Sequence, residues 1–88
     1  MKIEFKASFL KQLQKLKDKN LQDAIYKVIL STEHAKNIEE IPKLKKLTGY
    51  TSYYRIRVGD YRIGINFIDD TIYFVSFDHR KDIYKHFP

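Results

Sequence analysis

At 88 residues, the chain has the length of one domain, near the lower end of independently stable cores. It contains no cysteine, which excludes disulfides and thiolate–metal centres, and 43 % hydrophobic residues exclude a disordered composition. Lysine and arginine number 17 against 11 acidic residues, and the net charge of +6 points to polyanionic partners, either nucleic acid or an acidic protein.

No repeat, low-complexity tract or Pro/Gly/Ser-rich linker divides the sequence, so residues 1–88 are expected to form a single domain. The opening MKIEFKASFLKQ lacks the apolar run of a secretory signal, and no later stretch reaches transmembrane length. A cytoplasmic protein with no membrane association is expected.

Within KIEFK, Ile3 and Phe5 alternate with charged residues, the pattern of a short strand with one buried face. Ser8 is the candidate N-cap of a first helix, without the glutamate of a capping box, since Lys11 stands there. Phe9, Leu10, Leu13 and Leu16 recur at helical spacing; KDKN (17–20) interrupts the pattern. Leu21, Ala24, Ile25, Val28 and Ile29 then form the stripe of a second amphipathic helix that ends near residues 31–35. Pro42 argues against one continuous helix over 36–52, where Ile41, Leu44 and Leu47 are the candidate core anchors. Residues 53–58, 61–68 and 71–78 are rich in Tyr, Ile, Val and Phe, with Gly59-Asp60 and Asp69-Asp70 as tight hairpin turns. The ending HRKDIYKHFP is too polar for another strand and is expected to form a turn or a helical cap. The resulting fold class is α+β, in the order β-α-α-β-β-β: an antiparallel sheet with a helical hairpin packed on one face.

Side chains alternate across a strand. Tyr54, Ile56 and Val58 therefore share the helix-covered face with Tyr61, Ile63, Ile65 and Phe67. Arg55, Arg57 and Arg62 share the opposite, open face, and the two-residue turn places Arg57 across from Arg62. Like charges opposite one another destabilise a sheet unless an anion offsets them. Asp60, Asp78 and Asp82 could do so from within the chain; a bound polyanion could do so from outside.

The tail brings His79, Arg80, Tyr84, Lys85 and His86 to the end of the last strand, within reach of the open face. The set shows no metal-ligand spacing, no Ser-His-Asp spacing and no Gly-rich phosphate loop, so neither a metal nor another cofactor is expected. Its chemistry suits cleavage of RNA by the substrate's own 2′-hydroxyl. Guanidinium groups bind phosphate oxygens in bidentate fashion, tyrosine stacks on bases, and histidine exchanges protons near neutral pH.

YRIRVGDYRIGI (54–65), followed by one more strand and HRKDIY (79–84), resembles the RelE/ParE toxin superfamily, as does the lead-in LKKLTG (44–49). The similarity covers most of the chain. It implies a toxin of a type II toxin–antitoxin system, with RelE-like members cleaving mRNA on the ribosome without a metal. ParE-like members share the fold and poison DNA gyrase, and an inactive, antitoxin-binding relative is a third reading. The resemblance assigns Arg55 and Arg57 as cations or base, Arg62 to the transition state, Arg80 to phosphate or leaving group, and Tyr84 to substrate orientation or stacking. Arg55 and Arg57 stand where the best-known enzyme has lysines, and arginine stays protonated, so His79 and His86 become the candidates for proton transfer. Asp78 stands where the family often has glycine. Lys45, Lys46 and Lys85 are expected to bind RNA backbone; Lys11, Lys15, Lys17, Lys19 and Lys27 face water or ribosomal RNA. The partners implied are a cognate antitoxin, in a hetero-oligomeric complex, and mRNA with the ribosome.

Overall fold

The computed structural model describes all 88 residues. In chain order the elements are β1 (Lys2–Phe5), α1 (Ala7–Lys15), α2 (Lys19–His34), a 3₁₀ turn (Ile38–Glu40), β2 (Leu44–Lys46), β3 (Tyr53–Val58), β4 (Tyr61–Ile68), β5 (Thr71–His79) and α3 (Ile83–His86). None of the helices is long and apolar enough to cross a membrane.

Turn chemistry sets the β3–β4–β5 meander. Gly59 alone takes positive φ (59°) in the first turn, while Asp69 (51°) and Asp70 (58°) both do so in the second. These are the signatures of primed hairpin turns, whose twist matches that of the flanking strands. The expected register follows: Val58 pairs with Tyr61, and Arg57 with Arg62.

The five strands lie in the order β1-β5-β4-β3-β2. The sheet is mixed rather than wholly antiparallel, because β1 runs parallel to β5. The reason is one of parity. LKK at 44–46 forms a three-residue strand antiparallel to β3, which adds one chain reversal before the meander. That reversal turns β5 into the direction of β1.

The helix starts also differ from the sequence expectation. Lys6, not Ser8, is the N-cap of α1, and it provides no side-chain cap. Ser8 lies inside the first turn, and its hydroxyl donates to the Val75 carbonyl. One turn later Gln12 makes a paired contact with β5: Nε2 donates to the Phe77 carbonyl (2.6 Å) and Oε1 accepts from the Phe77 N–H (3.0 Å). β1 covers only residues 71–74 of its neighbour, so these side chains satisfy the edge that β1 leaves bare. The α2 cap is Asp18, whose carboxylate accepts from Leu21 N–H at 3.1 Å.

The main core lies between the helices and one sheet face. It joins Phe9, Leu21 and Ile25 to Ile56, Ile63, Ile65, Ile72, Phe74 and Phe77. Phe9 sits at its centre, fully buried, with ring centroids 5.8 Å from Phe5 and 5.4 Å from both Phe74 and Phe77. Ile41 belongs to this core and Leu44 packs against it, as expected.

Leu47 does not. It forms a second, smaller cluster with Ile83 and Phe87, against Tyr53 and Val75. Val75 is the extra residue of a bulge in β5, where Ser76 pairs with Gly64 but Phe74 pairs with Ile65. Part of the face expected to be open is therefore covered by α3, and Gly64 is where the cover makes contact. A Cβ built there would lie 2.6 Å from the Phe87 ring, so only glycine lets the ring rest on the strand.

Candidate nucleic-acid interface

The uncovered part of this face carries the arginines. Arg55 and Arg57 project from β3, and Arg62 from β4 directly across from Arg57. Arg62 is held by its own hairpin: Nη1 donates to the carbonyls of Gly59 and Tyr61, both at 2.9 Å. The rest of the guanidinium fork stays free for a ligand. Arg80 follows β5, and its backbone N–H donates to the Asp60 carbonyl at 2.7 Å, tying the tail to the β3–β4 turn. The Arg62 guanidinium is held below the usual arginine range, first by partial desolvation, then by Arg55 and Arg57. Arg80 pushes the same way, and Tyr84 opposes. The five residues thus lie close enough to share one electrostatic field.

Carboxylates within the chain do not neutralise it. The single ion pair, Lys85 with Asp82 at 3.1 Å, involves no arginine. Asp78 is the cross-strand partner of Arg62 but forms no ion pair with it; Gln12 Nε2 reaches its Oδ1 at 3.5 Å. Burial raises the Asp78 carboxyl above the usual range, Asp82 adds to this, and His86 and Gln12 oppose. Hydrogen bonding to Lys85 lowers Asp82.

α3 sorts the tail residues by helical position. Ile83 and Phe87 are buried and hold the helix to the sheet. Tyr84 is 59 % exposed and borders a cleft of about 380 Å³ that also touches Lys45, Lys46, Tyr50 and Arg55. His86, two residues further on and so on the other side of the helix, borders a separate cleft with Ser8, Gln12, Ser76 and Asp78. His79 pairs with Tyr61, and its ring stands edge-on to that tyrosine at 5.6 Å, beside the main core; its Nδ1 accepts from Lys81 N–H.

The structure therefore brings together Arg55, Arg57, Arg62, Arg80 and Tyr84, with Lys45 and Lys46 beside them. It does not bring His79 or His86 into that group, because strand alternation and helix phase turn both away. Lys85 is largely exposed and pairs with Asp82 at 3.1 Å. Sequence reasoning missed Tyr50, Gly64 and Phe87. A glycine amid β-branched neighbours, and an aromatic residue in a polar tail, were the available signals for the last two.

The chain is thus a small basic α+β domain whose arginines on one sheet face form no ion pair. Residues 3–84 match the family described as the ParE toxin of the type II toxin–antitoxin system, parDE. The chain belongs to this family. It is 39 % identical to Toxin RelE3 of Methanocaldococcus jannaschii, over the full length of both chains. It also superposes on a chain of the RelB–RelE antitoxin–toxin complex from Methanococcus jannaschii, with a TM-score of 0.76 and 38 % identity, over 96 % of this chain and 98 % of that one. The YoeB dimer from Staphylococcus aureus shares the fold at a TM-score of 0.68 and 24 % identity, covering 86 % and 92 % of the two chains.

Proposed function

We propose that the protein is the toxin of a type II toxin–antitoxin pair, and that it cleaves mRNA on the ribosome without a metal. The observation that carries this reading is the convergence of four arginines and Tyr84 with no carboxylate to neutralise them. In the reaction, the substrate's 2′-oxygen attacks the adjacent phosphorus and the 5′-oxygen leaves. The products are a 2′,3′-cyclic phosphate and a 5′-hydroxyl. Arg62, pre-positioned by two backbone carbonyls, stabilises the charge that grows on the phosphoryl oxygens. Arg55, Arg57 and Arg80 surround the same phosphate, and Tyr84 holds the nucleotide beside it. The arginines remain protonated and act as cations, so proton exchange falls to water or to a group of the ribosome.

An antitoxin is the second partner, as in the RelB–RelE antitoxin–toxin complex, one chain of which this chain resembles; the net charge of +6 suits an acidic one. A cleft of about 320 Å³ beside α2 offers it a seat, with apolar walls from Ala24, Val28, Ile41 and Val58 and cations from Lys27 and Arg57. This suits an amphipathic helix bearing carboxylates on its flanks. A second reading, kept open by the match of residues 3–84 to the ParE toxin family, is that the chain inhibits gyrase, as the resemblance to ParE-like toxins implies, and performs no nuclease chemistry.

The test uses ribosomes programmed with an mRNA bearing one 2′-deoxynucleotide at the cut position. Cleavage of the all-ribose message, with a cyclic phosphate end, insensitivity to chelator and loss with the deoxy substitution, is expected. A cut that survives the deoxy substitution contradicts 2′-oxygen attack.

A further inference from the structure

The cleft beside Arg55 has features that phosphate binding alone does not require. Its walls include two tyrosines that are largely open to solvent, Tyr50 (47 %) and Tyr84 (59 %). Its floor includes the buried side chains of Leu47 and Phe87, and Lys45 and Arg55 supply cations. Tyr50 is not loosely held. Its ring stands edge-on to Tyr53 (5.6 Å, 88°), which stands edge-on to Phe87 (5.5 Å, 87°). The chain enters Tyr50 through Gly49 at a φ of 84°, and Tyr50 N–H donates to the Leu47 carbonyl at 3.3 Å. The turn and the aromatic chain together hold the tyrosine at the cleft wall.

We infer that Tyr50 is a further nucleotide-positioning residue, which stacks on a base in the cleft it shares with Tyr84, beside the phosphate held by Arg55. The inference rests on the nuclease reading for its substrate and extends it to a residue with no assigned role. Stacking on an aromatic face is tolerant of base identity, because every base has a π-face. Tyr50 thus contributes affinity and placement of the strand, not sequence choice. The aromatic chain also links the cleft to α3: Phe87 supports Tyr53, which supports Tyr50, while Tyr84 rides on the same helix.

The experiment measures binding, so that it stands apart from cleavage. A fluorescent hexaribonucleotide with 2′-O-methyl groups cannot be cut by 2′-oxygen attack; its abasic counterpart keeps the phosphates and loses the bases. Wild type is expected to bind the intact oligomer about 5- to 150-fold more tightly than the abasic one, the range of one stacked base. Tyr50→Ala removes most of that ratio, while abasic affinity and the salt dependence of binding stay unchanged. Tyr50→Phe keeps the ratio, and Tyr50→Leu, which retains apolar packing on Tyr53, loses it. Equal affinity for the two oligomers, no binding of either, or a ratio indifferent to Tyr50→Ala overturns the inference. Stacked binding without cleavage of ribosomal mRNA would instead preserve the role of Tyr50 and remove the nuclease reading.

Discussion

Alanine at Gly64 sets two effects of opposite sign against each other. Glycine inside a strand costs about 0.5–1 kcal/mol relative to alanine, so the exchange alone stabilises. The new Cβ would lie 2.6 Å from Cδ1 of Phe87 and 2.7 Å from Cδ2 and Cε1. These atoms span both sides of the ring, so spinning the ring about its axis clears none of the clash. The ring is 2 % exposed and packs with Leu47 and Ile83, so relief requires α3 to lift. Overpacking of this kind costs about 1–3 kcal/mol, which equals or exceeds the propensity gain. The net loss, up to about 2.5 kcal/mol, lowers the melting temperature by up to about 20 °C in a domain of this size. The assay is thermal melting of wild type, Gly64→Ala, Phe87→Ala and the double variant. In the Phe87→Ala background the clash is gone, and Gly64→Ala is expected to become neutral or stabilising. A rise in melting temperature for Gly64→Ala in the wild-type background would refute the docking of the tail on the sheet.

Three further outcomes follow from the same geometry. Gln12→Leu leaves the Phe77 N–H and carbonyl without their partners, costs about 1–3 kcal/mol, and speeds hydrogen exchange at the Phe77 amide. Asp78→Asn is expected to stabilise the fold at pH 7 and to change nothing in strong acid. The folded carboxyl lies above its ordinary value, so its cost appears as pH rises from that ordinary value through the raised one; melting at both pH extremes reads it. Arg57→Gln removes a like-charge pair across the hairpin and raises stability by about 0.2–1 kcal/mol in low salt. The same variant lowers the gain in melting temperature that added phosphate gives to wild type.

Local chemistry made much of this structure legible. A two-residue turn fixes register, so Gly59-Asp60 and strict alternation were enough to place Arg57 opposite Arg62 and both away from the core. The helical stripes announced the covered face through Phe9 and Ile25. Two features were hidden for different physical reasons. LKK is too short and too charged to read as a strand, and without it the count of reversals leaves β1 antiparallel to β5. The seat of Phe87 on Gly64 joins residues 23 positions apart, and no periodicity reports a contact between a tail and a strand. The histidines show the same limit. Proximity in sequence to Arg80 and Tyr84 suggested a shared site, but helix phase separates His86 from Tyr84, and strand alternation turns His79 toward Tyr61. The family resemblance carried Arg55, Arg57, Arg62, Arg80 and Tyr84 as a set, whereas alternation and the hairpin register by themselves reached only Arg55, Arg57 and Arg62.

The most direct test of the nuclease account is to map mRNA 5′ ends in translating cells after induction of wild type or Arg62→Ala. Removing one such charge-stabilising donor costs about 100- to 1,000-fold in rate. The account predicts new ends within translated frames for wild type and their near absence for the variant, at equal protein levels. Growth arrest without new ends, or an unchanged cleavage pattern in Arg62→Ala, would contradict it.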